Sequence, residues 1–359
     1  MPTDWKQLQS KTIDTLRFPM AVAVVMLHSC TIVLSDSTGL LRGLCILFQE
    51  GICRLAVPCF FFISGFLFFN KLQEWSWDEW SRKIKNRAKT LLLPYLLWNV
   101  IALLAYWIWN NLHGDHVSLY QQFLNYGGLR MFWSKYGGLP LGSQAIPADG
   151  PLWFIRDLMY FILATPLIYK FLQWTRIYGV LGLCVLFLAV RRVVPEGFLF
   201  FVIGAYLQIS RKNILEIVFP KRHWLLCLAL LFLVAVCLLY DYSEYWSRFF
   251  KFFFLVSGIG ASFYLAARSV EYRPDRPHPF LVSSSFFIFA AHEILILHRV
   301  ARPLAEVILP TDTVWGGCAA IFLTPAFAIA ICLGLLWLMR RILPRTTGLL
   351  TGNRKIQNA

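Results

Sequence analysis

The chain has 359 residues, of which 58% are hydrophobic and only 15% charged, with a mean hydropathy of +0.59. Soluble domains carry about 25% charged residues, so a water-covered globular surface is excluded. The net charge of +15 does not describe a nucleic-acid face either, because the basic residues lie between apolar runs, where anionic lipid heads attract them.

A bilayer core takes about 20 apolar residues per helix. Spans are predicted over 15–34, 52–70, 90–110, 152–172, 176–191, 195–210, 223–241, 249–267, 281–300 and 315–339. The expected fold class is all-α: a polytopic transmembrane helix bundle of about ten helices. Residues 1–345 form one integral membrane unit, and 346–359 read as a polar cytoplasmic tail. The fifth and sixth spans are short and separated by Pro195, so a tight hairpin and a broken pair both remain open. That one interruption has no evident mate in the first half. The polar start, Met1 to Ser10, carries no cleavable signal, so the first helix is expected to be retained.

Lys and Arg set the orientation. With the N-terminus inside, basic residues on cytoplasmic segments outnumber those outside by more than two to one. The outer pair Arg191 and Arg192 runs against that trend. Segment 71–89 mixes Trp with base and reads as an interfacial amphipathic helix. The outer connection 111–151 holds Gly137-Gly138, Pro140, Gly142 and Gly150-Pro151, which are turn signals. The nine cysteines read as small core hydrophobes without metal spacing, a Cys30–Cys45 bridge being the one disulfide considered.

Ionisable residues inside a span are functional candidates by default. The first span holds Arg17 and, about 16 Å deeper at the helical rise, His28. The bland reading is an anchor plus a hydrogen-bonded core histidine. Span two begins at Arg54 and runs to Ser64-Gly65, a packing notch or a substrate contact. Arg82, Lys83, Lys85 and Arg87 precede span three and suit lipid phosphates or a polyphosphate ligand. Span four opens Pro151-Leu152-Trp153-Phe154-Ile155-Arg156-Asp157, where the Arg–Asp couple either neutralises neighbouring helices or stands at a site mouth. Span nine carries Ser283-Ser284-Ser285 and then His292-Glu293, a structural polar pair or part of a site.

Arg17, ten intervening residues and His28 resemble the Arg-x10-His signature of membrane acyltransferase family three, multi-pass proteins that O-acylate surface carbohydrates. The resemblance continues through Pro58 and Phe61-Phe62-Ile63-Ser64-Gly65-Phe66-Leu67, Arg87 with Pro94-Tyr95, Pro151 to Asp157, and Phe286-Phe287-Ile288-Phe289 before His292. It covers residues 12 to 340 in the family's order. Met20 stands where the family often has a small residue, and no esterase-like domain follows the last span.

The resemblance implies transfer of an acyl group, usually acetyl, from cytoplasmic acyl-CoA to a hydroxyl of a cell-surface glycan or lipid-linked sugar. His28 would be the base or a transient acyl carrier. Arg17 would hold the CoA phosphate or thioester end, and Arg82, Lys83, Lys85 and Arg87 would form a phosphate funnel. Ser64, Trp153, Arg156 and Asp157 would bind substrate, while His292 and Glu293 would orient the acceptor or relay its proton. Acyl-CoA is a co-substrate; no bound cofactor, metal or nucleic acid is expected. The location implied is the inner or plasma membrane, with the N-terminus cytoplasmic. The alternative is a proton-coupled transporter or flippase for a lipid-linked or acidic solute. A third reading, a non-catalytic scaffold, leaves the intramembrane charges unexplained.

Overall fold

The computed structural model describes residues 4–34, 39–70, 75–114, 118–126, 147–190, 193–273, 278–311 and 313–352. Every regular element among them is helical. Helix α1 (Trp5–Leu34) starts well before the predicted first span, because Lys6, Lys11 and Asp14 continue the same helix beyond its apolar part. Ile13, Leu16, Met20 and Val24 recur at three- and four-residue spacing and are buried along one face.

The second span is composite. Helix α2 (Gly39–Ile46) passes through a π-helical turn, Leu47–Gly51, and a 3-10 turn, Ile52–Leu55, into α3 (Ala56–Phe68). The break falls at Gly51, with φ −103° and ψ −105°. Helix α4 (Trp77–Arg87) is capped by Ser76, whose hydroxyl accepts from the Glu79 N–H at 3.5 Å. It continues through a π-helical turn, Ala88–Leu92, into α5 (Leu93–Leu112). The Trp-rich basic segment is therefore helical from Trp77 and joined to a span, with none of its α4 residues buried.

Helix α6 (Leu119–Tyr126) follows, and a 3-10 turn, Gly150–Leu152, leads into α7 (Trp153–Leu163) and α8 (Thr165–Ala189). Gly137-Gly138, Pro140, Gly142, Arg191 and Arg192 lie outside the described residues. Helix α8 bends at Arg176, where φ is 52° and ψ −133°, close to the predicted boundary between spans four and five. The chain then forms α9 (Glu196–Ile209), α10 (Ile214–Val218), α11 (Arg222–Leu239), α12 (Glu244–Tyr272) and α13 (Pro279–Ala291). A wide-turned segment, His292–Ala301, joins α13 to α14 (Arg302–Ile308), and α15 (Val314–Ile342) and α16 (Pro344–Leu350) complete the bundle.

Eight of these helices, counted through their joins, are long and apolar enough to cross a membrane. The shorter apolar α9 and the two limbs of α8 bring the architecture to about ten segments. Helix α1 lies among α3, α12, α13 and α15. Helices α3 and α9 cross at backbone contact: a Cβ on Gly65 would stand 2.0 Å from the Phe201 carbonyl, and one on Gly204 2.0 Å from that of Phe62. Gly65 is thus a packing notch, with Ser64 half-buried beside it.

Phe61, Phe154, Phe161 and Phe201 interlock α3, α7 and α9. Charges between helices are paired: Lys251 with Glu50, and Arg54 with Glu196 at 4.0 Å. All nine cysteines are free, Cys30 and Cys45 among them. Within the predicted tail, α16 packs on α5, and the Trp98 indole N–H donates to the Leu350 carbonyl at 3.0 Å.

Candidate active site

Eleven residues make three helical turns with about 20° to spare, so Arg17 and His28 share one face of α1. His28 is about one-quarter exposed and its Nδ1 lies 3.6 Å from Glu293 Oε2. The His28 and His292 rings stand 5.2 Å apart, centroid to centroid. His292 is fully buried, and its Nδ1 lies 3.0 Å from the Ile288 carbonyl. A carbonyl only accepts, so Nδ1 carries the proton and Nε2 presents a lone pair. That Nε2 and Glu293 Oε2 are buried without a hydrogen-bond partner among the described residues.

The backbone breaks immediately after this pair. Ile294 (φ −69°, ψ 90°) and Leu295 (φ 61°, ψ −22°) leave the helical region. A left-handed Leu costs about 1–3 kcal/mol, a strain found mainly at functional sites. The Tyr106 hydroxyl lies 3.4 Å from the Glu293 carbonyl, positioned to donate to an oxygen at the break. Neither this break nor those at Gly51 and Arg176 is marked by proline, so Pro195 is not the lone interruption that hydropathy suggested.

Asp149 completes the polar pocket. It is fully buried, and its backbone N–H donates to Asn99 Oδ1 at 3.2 Å. Neither carboxyl oxygen has a partner among the described residues. Burial first, and then the nearby Glu293 charge, holds this carboxyl well above the ordinary carboxylate range. The next residue is Gly150, where a Cβ would sit 2.9 Å from Glu293 Oε2. Only glycine leaves that oxygen its place. Asp149, Asn99 and Tyr106 escaped the sequence reading. Asn99 and Tyr106 lie seven residues apart on one face of the apolar α5, a signal that was available; Asp149 looks like any turn aspartate.

One donor atom each from His28, His292 and Glu293 lies within 4.8 Å of the others, a set able to hold a metal ion. An ion there would take the lone pair of His28 and with it the base.

At the far end of the Arg17–His28 face, Arg17 pairs with Asp14 at 3.1 Å, and the Arg87 guanidinium lies within electrostatic reach of Arg17. Two cations therefore lie near each other with one carboxylate paired to Arg17, leaving positive charge for an anion. Arg82 is 80% exposed, 4.0 Å from Glu79, and Lys85 is exposed. Lys83 is committed elsewhere: its ammonium reaches Glu79 at 3.3 Å and donates to the Phe68 carbonyl at 2.8 Å.

Of the two readings open for Arg156 and Asp157, the structure supports charge neutralisation rather than a site mouth. Both are sealed inside the bundle, Arg156 donating to Asp157 Oδ1 through Nε at 3.0 Å and Nη2 at 2.8 Å. Trp153 is half-buried, with its ring 6.4 Å from that of Phe61. Ser64 has no hydrogen bond to the His28 cluster among the described residues.

The family model described as an acyltransferase domain matches residues 10–335. The chain is similar to the succinoglycan biosynthesis protein ExoH of Rhizobium meliloti (strain 1021), at 26% identity over 329 residues, 88% of this chain and 84% of that protein. No solved structure matches. The matched region contains Arg17, His28, Asp149, His292 and Glu293; the chain belongs to this acyltransferase family and is a multi-pass membrane acyltransferase.

Proposed function

We propose that the protein moves an acyl group, in the first instance acetyl, from acyl-CoA on the cytoplasmic side to a hydroxyl of a cell-surface glycan or lipid-linked sugar. The observation that carries this reading is His28 Nδ1 facing the Glu293 carboxylate at 3.6 Å within the helix bundle. A sugar hydroxyl is a poor nucleophile at neutral pH, and a positioned imidazole supplies the missing base. His28 takes the hydroxyl proton as the oxygen attacks the thioester carbonyl. The new C–O bond forms, the C–S bond breaks, and the imidazolium returns its proton to the departing CoA thiolate. Glu293 stabilises the imidazolium in between, and His292 Nε2 is an acceptor for a hydroxyl of the sugar.

The donor enters at the other end of the same α1 face. Arg17 and Arg87 hold CoA phosphate, with Arg82 and Lys85 gathering the anion from solution. The extended arm of CoA covers the distance of about 16 Å to His28. Trp153 offers an apolar ring to the sugar. The relative's name places it in the biosynthesis of a polysaccharide, succinoglycan, which supports a glycan acceptor here. No bound cofactor enters the scheme. The protein would sit in the inner or plasma membrane with its N-terminus cytoplasmic.

The test is purified protein in liposomes with acetyl-CoA and a lipid-linked sugar, following free CoA and acylated product. His28→Ala and His28→Gln should both lose about a hundredfold or more. A well-folded His28→Gln protein at near wild-type rate would remove His28 from the chemistry. The broken segment beside His292 favours a second reading, a proton-coupled transporter or flippase, since discontinuous helices frame transport sites. That reading requires solute movement with no acylated product.

A further inference from the structure

The scheme above holds the donor through cations at one end of the bundle and gives the acceptor no charged contact. A second basic cluster stands at the other end, and helix α5 gives its depth. Arg87 precedes α5 at the donor end. Along α5, Trp98 meets Phe287, Tyr106 meets Glu293 and the Trp109 ring meets Arg299. The two strands of the bundle therefore run side by side in the same direction, and Arg299 lies beyond the His28–Glu293 pair, away from Arg17. His298 joins the two places, since Glu293, His28, Arg302 and Arg299 all act on it electrostatically.

Arg299 is exposed, and its guanidinium lies over the Trp109 ring, 5.3 Å from the centroid. The His113 ring stacks on the same indole at 4.0 Å and is fixed by its Nδ1, 2.8 Å from the Trp109 carbonyl. A guanidinium laid on an aromatic ring keeps its edge N–H groups for a planar oxyanion. Arg302 is neutralised by Glu306 at 2.8 Å, whereas Arg299 has no carboxylate partner among the described residues. An exposed arginine at a bilayer surface is ordinarily a headgroup anchor. Anionic lipid, however, draws such residues to the cytoplasmic leaflet, and this cluster is at the end opposite the donor cations. A snorkelling side chain also extends toward water, while this one is laid on an indole.

We infer that Arg299, supported by Trp109, binds an oxyanion of the acceptor, so that the protein takes an anionic sugar substrate in preference to a neutral one. This rests on the acyl-transfer reading for the ligand's role as acceptor. Tyr106 and Trp109 are three residues apart, about 4.5 Å of helical rise, so the anion belongs to the reacting sugar or to the group next to it. That oxyanion is a carboxylate of an acidic sugar or a phosphate of a lipid carrier.

Binding is measured first, without turnover, by calorimetry on the full-length protein in nanodiscs of zwitterionic lipid. The probes are a trisaccharide containing glucuronic acid, the same trisaccharide with its carboxyl reduced to an alcohol, and a short polyprenyl pyrophosphate bearing a neutral sugar. The acidic trisaccharide or the pyrophosphate, whichever carries the oxyanion, should bind about tenfold more tightly than the reduced one, by a margin that shrinks as salt rises. Arg299→Gln should abolish the margin. Arg299→Lys should keep only part of it, because the charge remains and the planar fork is lost. In the transfer assay, Arg299→Gln should raise KM for the anionic acceptor about tenfold and leave KM for acetyl-CoA unchanged.

Equal binding of all three probes overturns the inference. So does a margin that survives in Arg299→Gln with only Tm lowered, which is the behaviour of a headgroup anchor. If Arg299→Gln does not fold, an Arg299→Lys protein with the full wild-type margin overturns the inference in its place. Arg299-dependent binding with no acyl transfer by any variant would leave the oxyanion site standing and sink the acyltransferase chemistry instead.

Discussion

Gly150 offers a graded perturbation of the proposed His28–Glu293 pair. A methyl group at this position would stand 2.9 Å from Glu293 Oε2, whereas ordinary van der Waals contact begins at 3.4 Å. The carboxylate must therefore retreat by about 0.5 Å. If the retreat is directly away from His28, the separation grows from 3.6 Å to about 4.1 Å. At an effective dielectric of about 20, attraction between an imidazolium and a carboxylate falls from about 4.6 to about 4.0 kcal/mol. The difference of about 0.6 kcal/mol corresponds to a two- to threefold lower kcat.

Gly150→Ala should thus fold normally, keep its KM for acetyl-CoA and turn over at roughly a third to a half of the wild-type rate. The assay is liposome-based acetyl transfer followed by CoA release, with thermal unfolding in detergent as the control. Glu293→Gln supplies the decisive comparison, because without the carboxylate charge the extra methyl has nothing to weaken. A Gly150→Ala loss that persists in the Glu293→Gln background would refute the electrostatic account. An unchanged kcat in Gly150→Ala alone would refute the placement of Glu293.

Replacing Arg82, Lys83, Lys85 and Arg87 together with Gln should raise KM for acyl-CoA, by a factor that shrinks as salt rises; equal affinity at every ionic strength would end the funnel idea. Among the single changes, Arg87→Gln should weaken acyl-CoA most, while Lys83→Gln should chiefly lower Tm, since its ammonium already holds Glu79 and the Phe68 carbonyl. Reporter fusions after Lys71 and Arg222 should read cytoplasmic and one near Gly142 external, and a cytoplasmic signal at Gly142 would reverse the orientation. Chelator treatment should leave acyl transfer intact, whereas added Zn2+ should inhibit it reversibly by occupying His28, His292 and Glu293; activity lost to a chelator and restored by metal would replace the base mechanism.

Arg17, His28 and His292-Glu293 could be found in the sequence for one physical reason: ionisable groups are expensive in an apolar span and stand out against it. The spans themselves followed from the same apolar surroundings. Their interruptions did not, because hydropathy is blind to whether an apolar run is one helix or two. Gly51, Arg176 and Leu295 therefore passed unnoticed, while Pro195, a familiar breaker, drew attention. The choice left open at Arg156-Asp157 has a similar origin. Position along the chain suggested a mouth, but the two side chains satisfy each other and so tolerate full burial.

The break at Ile294–Leu295 begins only after the two polar side chains have been placed. Adjacent residues on an α-helix point about 100° apart, yet His292 and Glu293 both bring a donor atom to within 4.8 Å of His28. His292 keeps helical dihedrals, φ −62° and ψ −35°, and the non-helical residues follow at Ile294 and Leu295, so the break redirects the chain after Glu293 rather than the two side chains. It leaves the Glu293 carbonyl within reach of the Tyr106 hydroxyl. A strain of about 1–3 kcal/mol is thus carried at Leu295, next to the cluster that the upstream helix positions.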